Sequence, residues 1–146
     1  LQSLIDDAVQ TYIVAHAHND EKLLLLKHAS IHGVAANLIA QQIAGRRKAK
    51  VKLPQHYATT KIIYPPSVNL EQCSSEATAK FKSGLVQGES VVDLTGGYGV
   101  DSLFFSKRFP STVYVEPNAS LLNIVQHNHQ QLQAGDITYH PTTAEE

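Results

Sequence analysis

Apolar residues open the chain at helical spacing: Leu1, Leu4, Ile5, Ala8, Val9, Tyr12 and Ile13 fall on one face and predict an amphipathic first helix. A second helical run extends from about Glu21 to Ala44, with Leu23 to Leu26, Ile31, Val34, Leu38, Ile39 and Ile43 available for a core, and Gly45 placed to stop it. The stretch Lys52 to Ser67 reads as an irregular connector through which no helix should run, because Pro54, Pro65 and Pro66 lack amide donors and restrict their neighbours. Helical character returns from Glu71 to about Leu85, and Gly88 marks the approach to a short apolar strand, Ser90 to Leu94.

Beyond residue 87 the pattern alternates strand and helix, as in parallel βαβ units. The strand ends in a glycine turn, followed by a helix over about Val100 to Arg108, a strand Thr112 to Val115, and a helix for which Asn118 is a fair N-cap. Leu121, Leu122, Ile124, Val125 and Leu132 mark the buried face of that helix; Gly135 ends it, and Ile137 to His140 forms a third strand. The expected fold class is therefore α/β: a Rossmann-like domain, incomplete, preceded by helices. Residues 1–66 form the helical segment and connector, and residues 67–146 the first part of the Rossmann-like domain.

A hydrophobic content of 42% and a charged content of 17% describe a soluble globular chain. No apolar run approaches the roughly 18 residues of a membrane span, and the first ten residues carry two acids and no base, unlike a secretory leader. The expected location is the cytoplasm, without membrane contact. Cys73 is the only cysteine, which excludes an internal disulfide and argues against a thiolate metal cluster.

A net charge of −1 conceals an asymmetry: ten of the twelve Lys and Arg precede residue 87, against six acids. The densest stretch is Arg46, Arg47, Lys48, Lys50 and Lys52. Composition leaves two readings open, a phosphate-binding patch or a solvated helix end whose bases complement the dipole.

The chemistry concentrates in the run from Val91 to Asp101, VVDLTGGYGVD. An apolar strand ending in Asp93 is followed at once by Gly96, Gly97 and Gly99, which let the backbone turn sharply and approach a ligand with no Cβ in the way. Glu116 closes the next strand, where a carboxylate can accept hydrogen bonds from both ribose hydroxyls of an adenosine. A dinucleotide fingerprint would need a third glycine where Ser102 stands. S-adenosylmethionine has no pyrophosphate and tolerates this loop, and an acid ending the first strand suits it. A glycine turn that merely connects strand to helix is the remaining alternative.

Other constellations are weaker. His28 and His32 have the i, i+4 spacing of two ligands on one helix face but no acid partner, while His16 with His18 and His127 with His129 would diverge on a helix. Cys73 has no assignable base and reads as a buried or half-buried thiol. Asn128 reads either as half of a family-matched His-Asn pair or as a surface helix residue.

The runs EQCSSEATAKFKSGL, VVDLTGGYGVDS, VYVEPN and IVQHNHQQL, with QQIAGRRKAKVKLPQHY and IIYPP before them, resemble the class I S-adenosylmethionine-dependent methyltransferases of Bacteroidetes type. In that family a C-terminal THUMP-like domain follows the catalytic one, and the resemblance covers the chain from about Leu25 onward. It implies that Gly96, Gly97 and Gly99 lie beneath the methionine moiety, with Asp93 and Asp101 near its amino group. It further implies that Glu116 holds the ribose, Pro117 lines the adenine side, and Ser74, Ser75 and Glu76 close the pocket; ordinary N-capping is the other reading of Ser75 and Glu76. Thr95 stands where the general motif has its first glycine. The family implies an RNA base as methyl acceptor, which the basic segment Arg46 to Lys52 would suit.

Such a fold ordinarily has seven strands, and the motif that meets the methyl acceptor follows the fourth. The third strand here ends near His140, and no Asp-Pro or Asn-Pro-Pro occurs. The expectation is the front part of a methyltransferase with no assignable catalytic residue, inactive alone. The alternative is a noncatalytic RNA- or protein-binding module with a structural half-Rossmann region. An open sheet edge also predicts self-association.

Overall fold

The computed structural model describes all 146 residues. A 3-10 turn (Gln2–Ile5) leads into helices α1 (Asp7–Ala15) and α2 (Glu21–Lys27), a hairpin of β1 (Ser30–Ile31) and β2 (Val34–Ala35), and helices α3 (Ala36–Lys52), α4 (Pro54–Ala58), α5 (Ser67–Gln72) and α6 (Glu76–Gly84). Strand β3 (Ser90–Asp93), helix α7 (Val100–Ser106), strand β4 (Ser111–Val115), helix α8 (Ala119–Gln131) and strand β5 (Ile137–His140) follow. The three later strands form one parallel sheet in the order β3-β4-β5. This is the expected α/β architecture, a Rossmann-like parallel sheet with helices in front.

The α/β part follows its pattern closely. Asn118 caps α8, its side chain accepting from the Leu121 amide, and β5 covers the expected residues. Paired residues of a parallel sheet share a face, so Asp93, Tyr114 and Tyr139 point one way and Val92, Val113 and Thr138 the other. The first face holds the fully buried Tyr114, whereas Val92 on the second remains 53% exposed.

The helical front departs from its pattern in five places. The first is Asp6, whose extended backbone and side-chain cap to the Ala8 amide split the expected first helix and leave Leu4 and Ile5 in the 3-10 turn. The expected helix from Glu21 to Ala44 breaks after Lys27, because His32 and Gly33 take positive φ of 49° and 78° in a two-residue hairpin turn pairing Ile31 with Val34. Ile31 and Val34 still pack with Val9, Ile13, Leu24, Ile39 and Ile43. Leu23, Leu25 and Leu26, expected in the core, are exposed because the break at Lys27 leaves one short helix with a single inward position, Leu24; Leu38, also expected there, is exposed on α3. Gly45 does not stop α3 but lies inside it, where Tyr64 crosses the helix so closely that an added Cβ would sit 2.4 Å from the Tyr64 Cβ. The connector contains helix α4, with Pro54 in the first turn, where its missing amide is harmless. Finally, Glu71 to Leu85 splits into α5 and α6 at Cys73 to Ser75.

The segment after α4 is irregular yet buried at Ile62, Ile63, Tyr64 and Pro65. Its backbone is satisfied by side-chain amides in place of a neighbouring strand. The Tyr64 amide donates to Gln42 Oε1 at 2.8 Å and Gln42 Nε2 donates to the Tyr64 carbonyl at 2.9 Å. Asn128 does the same for Ile63, accepting from its amide at 2.9 Å and donating to its carbonyl at 2.8 Å. Ala49, Leu53, Ile62, Tyr64 and Leu70 thereby join Tyr98, Leu103, Tyr114 and Val125 in one hydrophobic core, which sutures residues 1–66 to residues 67–146.

Gly45→Ala is expected to destabilise the protein by roughly 2 kcal/mol, overpacking against Tyr64 outweighing the helix propensity gained. Urea unfolding measures it; a stabilised variant would mean that Tyr64 can retreat.

Candidate functional site

The glycine loop leaves the carboxyl end of β3 and enters α7, and its conformation is fixed from below. The Gly96 amide donates to the Val115 carbonyl at 2.9 Å, tying the loop to β4. Tyr114 donates its hydroxyl to the Gly97 carbonyl at 2.6 Å, and the buried His129 ring bonds the Gly99 carbonyl through Nε2 at 2.8 Å. Gly97 and Gly99 both have left-handed φ, 52° and 74°.

The three glycines have different reasons to be glycine. A Cβ on Gly96 would lie 2.2 Å from the Tyr114 ring, and one on Gly99 would lie 2.4 Å from Val125 Cγ1 and 2.9 Å from His129 Nε2. Those two are demanded by packing. A Cβ on Gly97 would meet only the Thr95 carbonyl oxygen, at 3.8 Å, and otherwise open space. Protein packing therefore leaves room at Gly97.

Carboxylates surround the opening. Asp93 accepts from the Ser102 hydroxyl at 2.6 Å and from the Thr95 amide at 3.3 Å. Burial raises its pKa above the ordinary carboxylate value despite those bonds, and Asp101 adds to the effect. Glu116 accepts from the amides of Gly97, at 3.1 Å, and Asn118, at 2.8 Å, so its two oxygens bridge the loop and the turn after β4. Pro117 lies exposed beside it. Asp101 Oδ2 accepts from Ser74 and Lys82, both at 3.1 Å, whereas its Oδ1 is buried without any partner. Lys82 is the one cation bonded to these three acids.

The structure thus brings Asp93, Thr95, Gly96, Gly97, Gly99, Asp101, Glu116 and Pro117 to one end of the sheet, and Ser74 joins them through Asp101. Ser75 caps α6, accepting from the Thr78 amide at 3.1 Å. Glu76 is buried and accepts from the Gln55 and His56 amides and, at 2.7 Å, from His56 Nδ1; it caps α4 from a distance. Burial pushes the Glu76 carboxyl up, but the bonds from the His56 ring and the two amides outweigh it and hold the pKa below its usual value.

Sequence reasoning missed the scaffold under the loop. Asn128, which the pattern left open as a surface residue, is buried and also donates to the Tyr98 hydroxyl at 3.0 Å. His28 ends α2 and His32 sits in the hairpin turn, so they share no helix face. Of the five-residue basic segment, Arg47 binds Glu21 and the carbonyls of Ala17 and Asn19, Lys48 pairs with Glu71, and Lys52 bonds the Leu70 and Glu71 carbonyls. Arg46 bonds the Tyr57 carbonyl, leaving Lys50 with no hydrogen-bond partner. Cys73 is half-buried, with its thiol pKa raised by burial. No helix is long and apolar enough to cross a membrane.

No family model matches the chain, and no curated protein matches it significantly. Among solved structures it is similar to a candidate methyltransferase from Porphyromonas gingivalis W83, with a TM-score of 0.76 and 27% identity over 92% of this chain. The match takes in 34% of that protein, so the chain spans about a third of its length.

Proposed function

We propose that the glycine loop and its carboxylates bind S-adenosylmethionine and that the chain is the cofactor-binding part of a methyltransferase. The observation that carries this reading is Gly97: a left-handed glycine with free space where its side chain would be, among acids short of cations. The site fits the group. Asp101 Oδ1 lacks a donor that an ammonium would supply, and Asp93 and Glu116 add negative charge opposite a cationic ligand. Glu116 accepts one hydrogen bond per oxygen from the protein and retains a lone pair on each for ribose hydroxyls. When bound, S-adenosylmethionine supplies an electrophilic methyl on a sulfonium; the chain's residues orient the ligand from below and hold its polar ends. Because Asp93 binds the cation as a carboxylate, affinity should fall as acid protonates it through its raised pKa.

The similar solved structure supports a methyltransferase fold, and the sequence resemblance adds the finer expectations: an RNA base as acceptor and a THUMP-like domain in the full family architecture. Residues 67–146 would hold the cofactor and residues 1–66 would brace it and present Lys50 toward an RNA. β3 and β5 each have an unpaired edge, which supports self-association.

Calorimetric titration of S-adenosylmethionine tests the cofactor. Saturable binding is expected, weakened at least tenfold in Gly97→Asn, a residue that tolerates left-handed φ, with its melting temperature nearly unchanged. The same weakening is expected in Glu116→Gln, whose NH2 replaces one oxygen that accepts from a backbone amide and lowers the melting temperature slightly. Absence of binding to the native chain, or binding to the variants as tight as to the native chain, would overturn the assignment for this chain.

A further inference from the structure

Lys82 is the exception in an acidic site. It stands in the last turn of α6, where a base ordinarily complements the helix dipole. Its ammonium instead reaches back to Ser74 Oγ at 2.9 Å and across to Asp101 Oδ2, on α7, at 3.1 Å. Ser74 donates to the same Asp101 oxygen at 3.1 Å, so the three groups close a ring that holds the ammonium at the mouth of the glycine loop. The side chains of the ion pair are 46% and 27% exposed, a setting in which such a pair contributes little to stability. The same exposure keeps the ammonium within reach of a ligand, and two of its three protons are engaged, leaving one free. Its charge also extends to Asp93: burial dominates that carboxyl and raises its pKa, and Lys82 is among the groups that pull it back.

The charges of site and ligand mirror each other. S-adenosylmethionine carries two positive groups, the sulfonium and the ammonium, and one negative group, the carboxylate. Asp93, Asp101 and Glu116 supply the negative charges of the site, and Lys82 is the cation bonded among them. Three acids alone would attract the positive groups and repel the carboxylate. An exposed ammonium with a free proton gives that carboxylate an opposite charge and a donor.

On the premise that the loop binds S-adenosylmethionine, we propose that Lys82 anchors the carboxylate of the methionine moiety and so selects ligands with an intact amino-acid tail. A lysine that only neutralised Asp101 would act in the opposite sense, because it would compete with the ligand's ammonium for that acid. The two roles therefore differ in the sign of their effect on binding.

The test is calorimetric titration of the native chain and of Lys82→Met with S-adenosylmethionine and with its decarboxylated form, which keeps the sulfonium and the amine but has no carboxylate. Methionine retains most of the aliphatic stem, so the melting temperature should change little. Lys82→Met should hold S-adenosylmethionine about tenfold more weakly, as loss of a charge-assisted hydrogen bond requires. It should hold the decarboxylated ligand at least as tightly as the native chain does, since a competing cation has gone. If Lys82→Met binds S-adenosylmethionine as tightly as the native chain or more tightly, or if both ligands lose affinity equally, the anchor is overturned and the cofactor reading stands. Failure of the native chain to bind S-adenosylmethionine would overturn the cofactor reading itself, and the anchor with it.

Discussion

Gly99→Ala should destabilise the protein by about 3 to 8 kcal/mol, enough to leave much of the chain unfolded if its total stability is ordinary. Three terms add. The left-handed backbone at φ 74° disfavours alanine by about 1 to 2 kcal/mol. The new methyl would lie 2.4 Å from Val125 Cγ1, and Val125 is fully buried, so overpacking contributes about 1 to 3 kcal/mol. It would also lie 2.9 Å from His129 Nε2, and displacing that ring strands a buried N–H and the Gly99 carbonyl for about 1 to 3 kcal/mol more. Gly97→Ala is the matched control, because its backbone is also left-handed but its Cβ meets open space. Only the backbone term, about 1 to 2 kcal/mol, should be lost there. Urea midpoints of the two variants decide the matter: equal shifts would mean that α8 gives way to a methyl group.

That contrast cannot be read from the sequence, where three glycines within four positions look alike. What is legible there is the periodicity of Val91 to His140, because each helix packs on a neighbouring strand and local pattern suffices. Asp93, the glycines and Glu116 could be named for the same reason: they close the strands that the pattern marks. The helical front is governed by distant contacts. Gly45 stops a helix by propensity, yet α3 continues through it because Tyr64, nineteen positions on, covers the gap where a side chain would be. Asn128 is polar on a helix with an exposed face, yet it is buried because Ile63, with no strand beside it, requires a donor and an acceptor. Glu76 looks like the acid of a helix start, and it is one, but its carboxylate serves α4 as well. Only the hairpin left a local sign, His32-Gly33, which the surrounding helical spacing of apolar residues masked.

The Asn128 and His129 pair shows why α8 matters to the loop. Asn128 holds the front segment through Ile63 and Tyr98; His129, one residue on, holds Gly99 and Tyr139. One helical turn thus clamps both the front of the chain and the strand-to-helix turn. A fixed loop is what ligand binding requires, since a loop ordered only on binding would lose affinity to its own entropy.

The clamp predicts how the protein fails in acid. His129 is 2% exposed, donating from Nε2 to the Gly99 carbonyl and accepting the Tyr139 hydroxyl at Nδ1, an arrangement that requires the neutral ring. Burial lowers its pKa from 6.5 to about 4; the Gly99 carbonyl opposes the shift and the His56 charge assists it. The unfolded chain therefore binds the proton more readily. His129 contributes stability that is fully present above pH 6.5 and is lost as pH falls toward 4, at up to about 1.4 kcal/mol per pH unit and roughly 3 kcal/mol in all. Glu76, with a lowered pKa, adds its loss only below its ordinary value of 4.5, and Asp93, with a raised pKa, works in the opposite direction by favouring the folded state in acid. Between pH 6.5 and 5 the histidine loses stability while Glu76 stays ionised, and Asp93 can only oppose that loss. Urea midpoints measured there should fall steadily for the native sequence. In His129→Gln, which is less stable at neutral pH but has nothing to protonate at that position, they should be nearly level. An equal slope in both proteins would assign the acid sensitivity to another group and leave the neutral clamp without support.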